Sequence, residues 1–218
     1  MRLSRRLGLS LFLIVFLILF LFLSLYLASR GRPKSGDALF ADDFSKSDSG
    51  WNRQADADAT TGYVDGEYQI AILAPNLNVW AASGPQLADV AVAADARTAA
   101  GPDNNLFGLI CRYQDNRNFY FLVISSDSYF VVGKLKEGRI NYLSGSSFEY
   151  SDKILPGQAA HHLTATCIGN VLTLAVDGAH LADAMDDDFK AGRVGLMAGS
   201  FDEPGVEVRF DNLVVFEP

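Results

Sequence analysis

GLICRYQDNRNFYFLVISSD, residues 108–127, reads as two strands about a turn. With the preceding Phe107, alternation places Phe107, Leu109, Cys111 and Tyr113 on one face and Gly108, Ile110 and Arg112 on the other. The polar run Gln114-Asp115-Asn116-Arg117-Asn118 reverses the chain, which returns with Phe119, Phe121 and Val123 opposite Tyr120, Leu122 and Ile124. Both faces are largely apolar, so the hairpin is expected in the middle of a sheet that is covered on each side. Arg112 and Tyr120 are the exceptions, because a charged head and a phenol must reach water or a partner.

Outward from this hairpin the same pattern continues. Turn pairs recur at Asp65-Gly66, Glu137-Gly138, Gly169-Asn170 and Asp177-Gly178, with short runs rich in Val, Ile, Tyr and Phe between them. Tyr68, Ile70 and Ile72 share one face of a strand, as do Val90, Val92 and Ala94, and Leu163, Ala165 and Cys167. Beyond residue 36 no stretch sustains helical periodicity for three turns. About twelve strands with no helices to cover them must pack sheet on sheet, so an all-β antiparallel sandwich is expected.

The N-terminus is of another kind. Leu7 to Ala28 run uncharged between Arg6 and Arg30, and at ~1.5 Å per residue such a helix crosses a hydrocarbon core of about 30 Å. A cleaved signal peptide is the competing reading, but its apolar region is normally ~7–15 residues long and ends in a small-x-small site. Tyr26-Leu27-Ala28-Ser29-Arg30 is a poor site of that kind. The expected organisation is a cytoplasmic tail (1–6), a signal anchor (7–28), a polar Pro/Gly linker (29–36) and one domain (37–218). Three basic residues flank the span on each side, so the charge count leaves orientation tied. The short tail is the simpler part to retain, which puts the domain outside the cytoplasm of a single-pass membrane protein.

Six of the 18 Lys and Arg residues lie in the first 36 positions and all 26 acids follow them. A domain this acidic repels phosphate backbones, which argues against nucleic acid and leaves neutral glycans, proteins and divalent cations as partners. The only cysteines, Cys111 and Cys167, both fall in the exported part. An even pair in an oxidising compartment suggests a disulfide, with two separate buried thiols as the alternative.

The ordered elements Phe40-Ala41-Asp42-Asp43-Phe44-Ser45, Gly50-Trp51, Tyr63-Val64-Asp65-Gly66-Glu67-Tyr68, Phe107 to Tyr113, Asn118-Phe119-Tyr120 and Val208-Arg209-Phe210-Asp211-Asn212 resemble the concanavalin A-like, laminin G-like jelly rolls of bacterial surface proteins. The resemblance covers residues 39–217. It implies a convex and a concave antiparallel sheet with adjacent first and last strands, in a superfamily of lectins, glucanases and 3-keto-disaccharide hydrolases. By the same resemblance, Asp43, Gly66 and Asp211 match a structural calcium site on the convex side. The alternative for Asp211 is capping of a strand end.

The chemistry in the sequence is sparse. Family 16 glucanases of this superfamily carry Glu-x-Asp-x-(x)-Glu on one strand face, where one carboxylate attacks and another donates a proton. That motif is absent. Asp183, Asp186, Asp187 and Asp188 lack a glutamate partner and read as a solvated loop, and the adjacent His161 and His162 point to opposite strand faces. No Gly-x-Ser-x-Gly elbow, phosphate loop or His-Glu-x-x-His occurs. A non-catalytic binding module is therefore expected, with an unrecognised hydrolase site as a further alternative. Trp80, in Asn76-Leu77-Asn78-Val79-Trp80, joins an indole to amides and suits sugar stacking; Arg97, Arg112 and Tyr120 are candidates to line the same concave sheet. Two readings remain open beside glycan binding: Trp80 and Trp51 as rim or core aromatics, and an ectodomain that docks a surface protein or serves as a sensor.

Overall fold

The computed structural model describes Gly36 and residues 38–218; the expected tail, span and all but the end of the linker lie outside the described residues. Among the described residues no helix is long and apolar enough to cross a membrane. The strands, in chain order, are β1 (Ala38–Asp42), β2 (Gln54–Ala55), β3 (Ala59–Val64), β4 (Glu67–Ile72), β5 (Asn78–Leu87), β6 (Val90–Ala100), β7 (Asn105–Asp115) and β8 (Asn118–Ile124). They continue with β9 (Tyr129–Lys136), β10 (Arg139–Tyr142), β11 (Glu149–Tyr150), β12 (Ala160–Ile168), β13 (Val171–Val176), β14 (Ala179–Met185), β15 (Gly192–Ser200) and β16 (Val206–Phe216). The excess over the expected twelve comes from pieces such as β2 and β11, each two residues long, which are too short to show alternation.

One sheet has the order β14-β13-β12-β6-β16-β4-β3-β2, with β1 also paired to β16; the other runs β10-β9-β8-β7-β15-β5, with β11 on β9. Both are antiparallel, and the first and last strands pair as the family resemblance implied. The hairpins follow from turn chemistry. Asp65 and Gly66 join β3 to β4 with φ of 55° and 84°, the left-handed pair of a type I′ turn whose twist matches the flanking strands.

Alternation delivers the core. Tyr68, Ile70 and Ile72 of β4, Val92 and Ala94 of β6, and Leu163, Ala165 and Cys167 of β12 are wholly buried. They meet Phe107, Leu109 and Cys111 of β7 and Tyr120, Leu122 and Ile124 of β8 from the opposite sheet. The Cys111–Cys167 disulfide ties the two sheets through this layer. Trp51 is also core: its indole N–H donates to Asp42 Oδ2 at 2.9 Å and its ring packs on Phe44 and Tyr68.

The opening hairpin departs from simple alternation at one residue. Arg112 has φ 51°, and there the pairing of β7 with β8 slips between Cys111 and Asp115. A single left-handed residue inserts a bulge and inverts the phase of the rest of the strand. Tyr113 therefore emerges with Ile110 on the outer face of the sheet, not with Cys111 in the core. That outer face carries its own apolar layer, including Ile110, Phe119, Phe121, Val123 and Met197, with Trp80, Phe148 and Phe201 packed over it.

Candidate functional site

A cleft opens at the β5 edge of the β10-to-β5 sheet. β5 is the edge strand, and its alternation buries Val79 and Ala81 while leaving Trp80 half-buried on the outer side. The Trp80 ring lies 5.1 Å from that of Phe119, which stacks on Tyr113 at 5.7 Å. The Arg193 guanidinium sits over the Tyr113 ring at 5.1 Å. Asn116, in the β7–β8 turn, accepts at Oδ1 from the indole N–H of Trp80 at 3.4 Å and from the Tyr113 hydroxyl.

Trp80 stands between two lobes. One, of about 370 Å³, is bounded by Gln54, Asp56, Asp58 and Asn78. The other, of about 320 Å³, is bounded by Gly50, Ala82, Tyr113 and Arg193. Asn52, Trp80 and Asn116 line both. Asp56 is engaged locally, since its carboxylate accepts from Gln54 Nε2 and from the amides of Asp58 and Ala59, which hold it below the usual carboxylate range. Burial pushes the Tyr113 hydroxyl up, with Arg193 partly offsetting it.

Of the four residues expected to line one sheet, only Trp80 is in the cleft. Arg112 is 1% exposed and points into the end of the sandwich, because its left-handed backbone turns the side chain inward. Nε donates to Ala88 O, Nη1 to the carbonyls of Gly169 and Phe189, and Nη2 to Cys167 O and Asp89 Oδ1. Tyr120 is wholly buried; its hydroxyl donates to Asp186 at 2.6 Å and accepts from the Phe189 amide at 3.0 Å. Burial raises that hydroxyl far above its ordinary range. Arg97 belongs to β6 of the other sheet and pairs with Glu67 at 2.8 Å. The sequence pattern does not point to Tyr113, Asn116 or Arg193: the bulge hides Tyr113, and the other two reach the cleft only through strand pairing.

The acidic run after β14 is not a free loop. Lys134 pairs with Asp186 and Asp188, and Lys136 with Asp188 at 2.7 Å. His161 and His162 do face opposite ways: His161 is buried between Asp177 and Leu155 O, and His162 lies outside against Asp95.

On the outer face of the first sheet, Asp211 has one donor, the Asn212 amide at 2.7 Å. Burial, followed by the negative fields of Glu67, Asp95 and Asp43, raises its carboxyl. The Asp43 carboxylate accepts from the Ser45 amide and hydroxyl, and Gly66 lies in the β3–β4 turn. Among the described residues no three of His, Cys, Asp and Glu form a metal-holding group.

No family model matches the chain, and no curated protein sequence matches it. By structure it is similar to the carbohydrate-binding module CBM66 from Bacillus subtilis, at 17% identity over 77% of this chain and 96% of that one, with a TM-score of 0.62. It is also similar to a Bacillus subtilis protein of unknown function with a galectin-like fold (10% identity, 84% and 97% of the two chains, TM-score 0.62). A Bacillus licheniformis β-glucanase matches at 12% identity over 85% of this chain and 100% of that one, with a TM-score of 0.59. Identities this low speak to architecture, which binding modules and glycosidases share. The chain has the concanavalin A-like jelly-roll fold.

Proposed function

We propose that the protein is a membrane-anchored, extracytoplasmic binding module that takes a glycan of low charge density in the Trp80 cleft and performs no chemistry on it. The observation that carries this reading is the half-buried indole set between two amide-lined lobes, each near the lower end of the ~300–1,000 Å³ typical of ligand sites. A sugar stacks an apolar ring face on an aromatic ring and offers its hydroxyls to surrounding amides, which is the chemistry this cleft supplies. The carbohydrate-binding neighbour supports the same reading. Absence of catalysis is supported by the outer face itself, where aliphatic and aromatic side chains occupy the central strands.

The test is a glycan array probed with the full chain and with Trp80→Ala. Loss of about tenfold or more in binding is expected, with a melting temperature lowered by only a few degrees. Unaltered binding, or an unfolded variant, would overturn the reading. A protein-docking role is the second reading, favoured by exposed Tyr129, Ile140, Tyr142 and Tyr150 at the far edge of the same sheet.

Anchoring through residues 7–28 rests on the length and lack of charge of that run. External protease applied to intact cells is expected to remove the domain and leave the anchor in the membrane fraction. Recovery of the full-length chain in the cytosol would refute it. A structural calcium ion at Asp43, Gly66 and Asp211 is proposed on the charge environment of Asp211.

A further inference from the structure

The arginines of the domain are disposed of in distinct ways, and one is left over. Arg97, Arg112 and Arg209 pair with carboxylates, while Arg53 and Arg117 donate to the carbonyls of Ser47 and Glu137. Arg139 is exposed on β10. Arg193 alone is half-buried in a cleft, and among the described residues it has no carboxylate or carbonyl partner. It is held instead by stacking on Tyr113, which fixes the plane of the guanidinium and leaves its N–H edge available.

The neighbouring amide adds to this. The indole N–H of Trp80 can only donate, so the Asn116 oxygen must face it, as it does. The Tyr113 hydroxyl donates to the same oxygen. The Asn116 Nδ2 hydrogens, which have no acceptor among the described residues, are left for a ligand. The lobe between Trp80 and Arg193 is thus rich in donors, in a domain where acids outnumber bases by 26 to 12. A donor-rich, locally cationic lobe beside an aromatic ring calls for an acceptor-rich ligand group, and a carboxylate matches a planar guanidinium fork in both charge and shape.

We propose that this lobe is the subsite for a carboxylated sugar, either a uronic acid or a sialic-type acid, with its carboxylate on Arg193 and Asn116 and its ring against Trp80. The inference rests on the glycan reading above and narrows it. The surrounding acidic surface disfavours a polyanion, so the acidic unit is flanked by neutral sugars, and the adjoining lobe with Asn78 and Asp58 takes the hydroxyls of the next unit.

The experiment uses the full-length chain in mild detergent and glycans in matched pairs: cellobiouronate with cellobiose, and 3′-sialyllactose with lactose. Binding is measured by titration calorimetry at two salt concentrations for the parent, Trp80→Ala, Arg193→Gln and Arg193→Lys. The parent is expected to prefer one acidic member by about tenfold or more, with a preference that shrinks in high salt. The pair that shows the preference identifies the acid. Read as the ratio of acidic to neutral affinity within each variant, the preference is abolished by Arg193→Gln and only partly kept by Arg193→Lys, because the fork is lost. Equal, Trp80-dependent binding of acidic and neutral members overturns the carboxylate subsite and leaves the glycan site standing. Binding of no member, or binding indifferent to Trp80→Ala, overturns both.

Discussion

Arg112 is the residue on which the end of the sandwich is built. A guanidinium has five N–H donors, and the five acceptors around it come from the chain before β6, the end of β12, the β12–β13 turn and the approach to β15. The left-handed backbone that aims it costs about 1–3 kcal/mol, which the completed set of charge-assisted bonds outweighs. Arg112→Ala would remove all five bonds, two of them to buried carbonyls, and a loss of about 3–5 kcal/mol in urea unfolding is expected. Arg112→Lys, with a charge but fewer donors, should fall between. A loss under ~1 kcal/mol for the alanine variant would show that water replaces the side chain at little cost. The same residue marks where the sequence stops being legible. Period-2 alternation places Tyr68, Ile70, Ile72 and the β12 residues on the correct face because nothing interrupts those strands. In β7 one left-handed residue inverts the phase, and no neighbour in sequence announces it. On β8 both alternating sets are apolar, so the pattern separates Tyr120 from Phe119 but cannot say which of them faces the core.

At the scale of elements, the two sheets are fastened where β9 meets the segment after β14. Lys134 and Lys136 project from β9 toward Asp186 and Asp188, and the Tyr120 hydroxyl reaches Asp186 from β8. Burial alone would raise the Asp186 carboxyl, but Lys134, Tyr120 and the Asp188 amide outweigh it and hold it below the ordinary range. Bonds from Lys134 and Lys136 do the same for Asp188. Burial would lower Lys134, and its two carboxylates raise it instead. Carboxyls depressed in the folded state contribute stability above their unfolded value of about 3.9, and that stability is lost as pH falls through the lower folded values. A raised lysine contributes below about 10.4 and is lost as pH rises beyond it. The latch is thus complete from about pH 4 to 10, and Asp186→Asn should lower stability at pH 7 while flattening the decline below about pH 4. Parallel pH–stability curves for parent and variant would remove the latch from the account. In the sequence these aspartates read as a solvated loop because their lysines lie some fifty positions away. For the same reason Trp80 can be singled out from its own sequence neighbours as a candidate, whereas the place of Arg193 in the cleft cannot: β15 brings Arg193 to Tyr113 only by pairing with β7.

For the whole molecule, the excess of acids has to be accommodated without the sheets being driven apart. The Cys111–Cys167 bridge answers part of this, since closing a loop over a separation of 56 residues is worth roughly 4 kcal/mol in the chain-entropy model. The outer face of the first sheet answers another part by pairing: Glu67 with Arg97 and Arg209, and Asp95 with His162 and Asn212. Asp211 is the group that pairing leaves out. Its carboxyl is raised by burial and by the surrounding carboxylates, so without a cation its ionised form weakens the fold at neutral pH, and stability should rise as pH falls through its elevated folded value. A calcium ion held with Asp43 and the Gly66 carbonyl would reverse that sign, because it favours oxygen ligands and binds only the folded chain. The two situations separate in one experiment. In chelator, Asp211→Asn should melt at the same temperature as the parent or above it, since a repelled charge has been removed. In excess calcium the parent should rise above the variant, and the order should invert. Melting curves that keep the same order with and without calcium would mean that the acidic face is stabilised by its arginines and histidine alone.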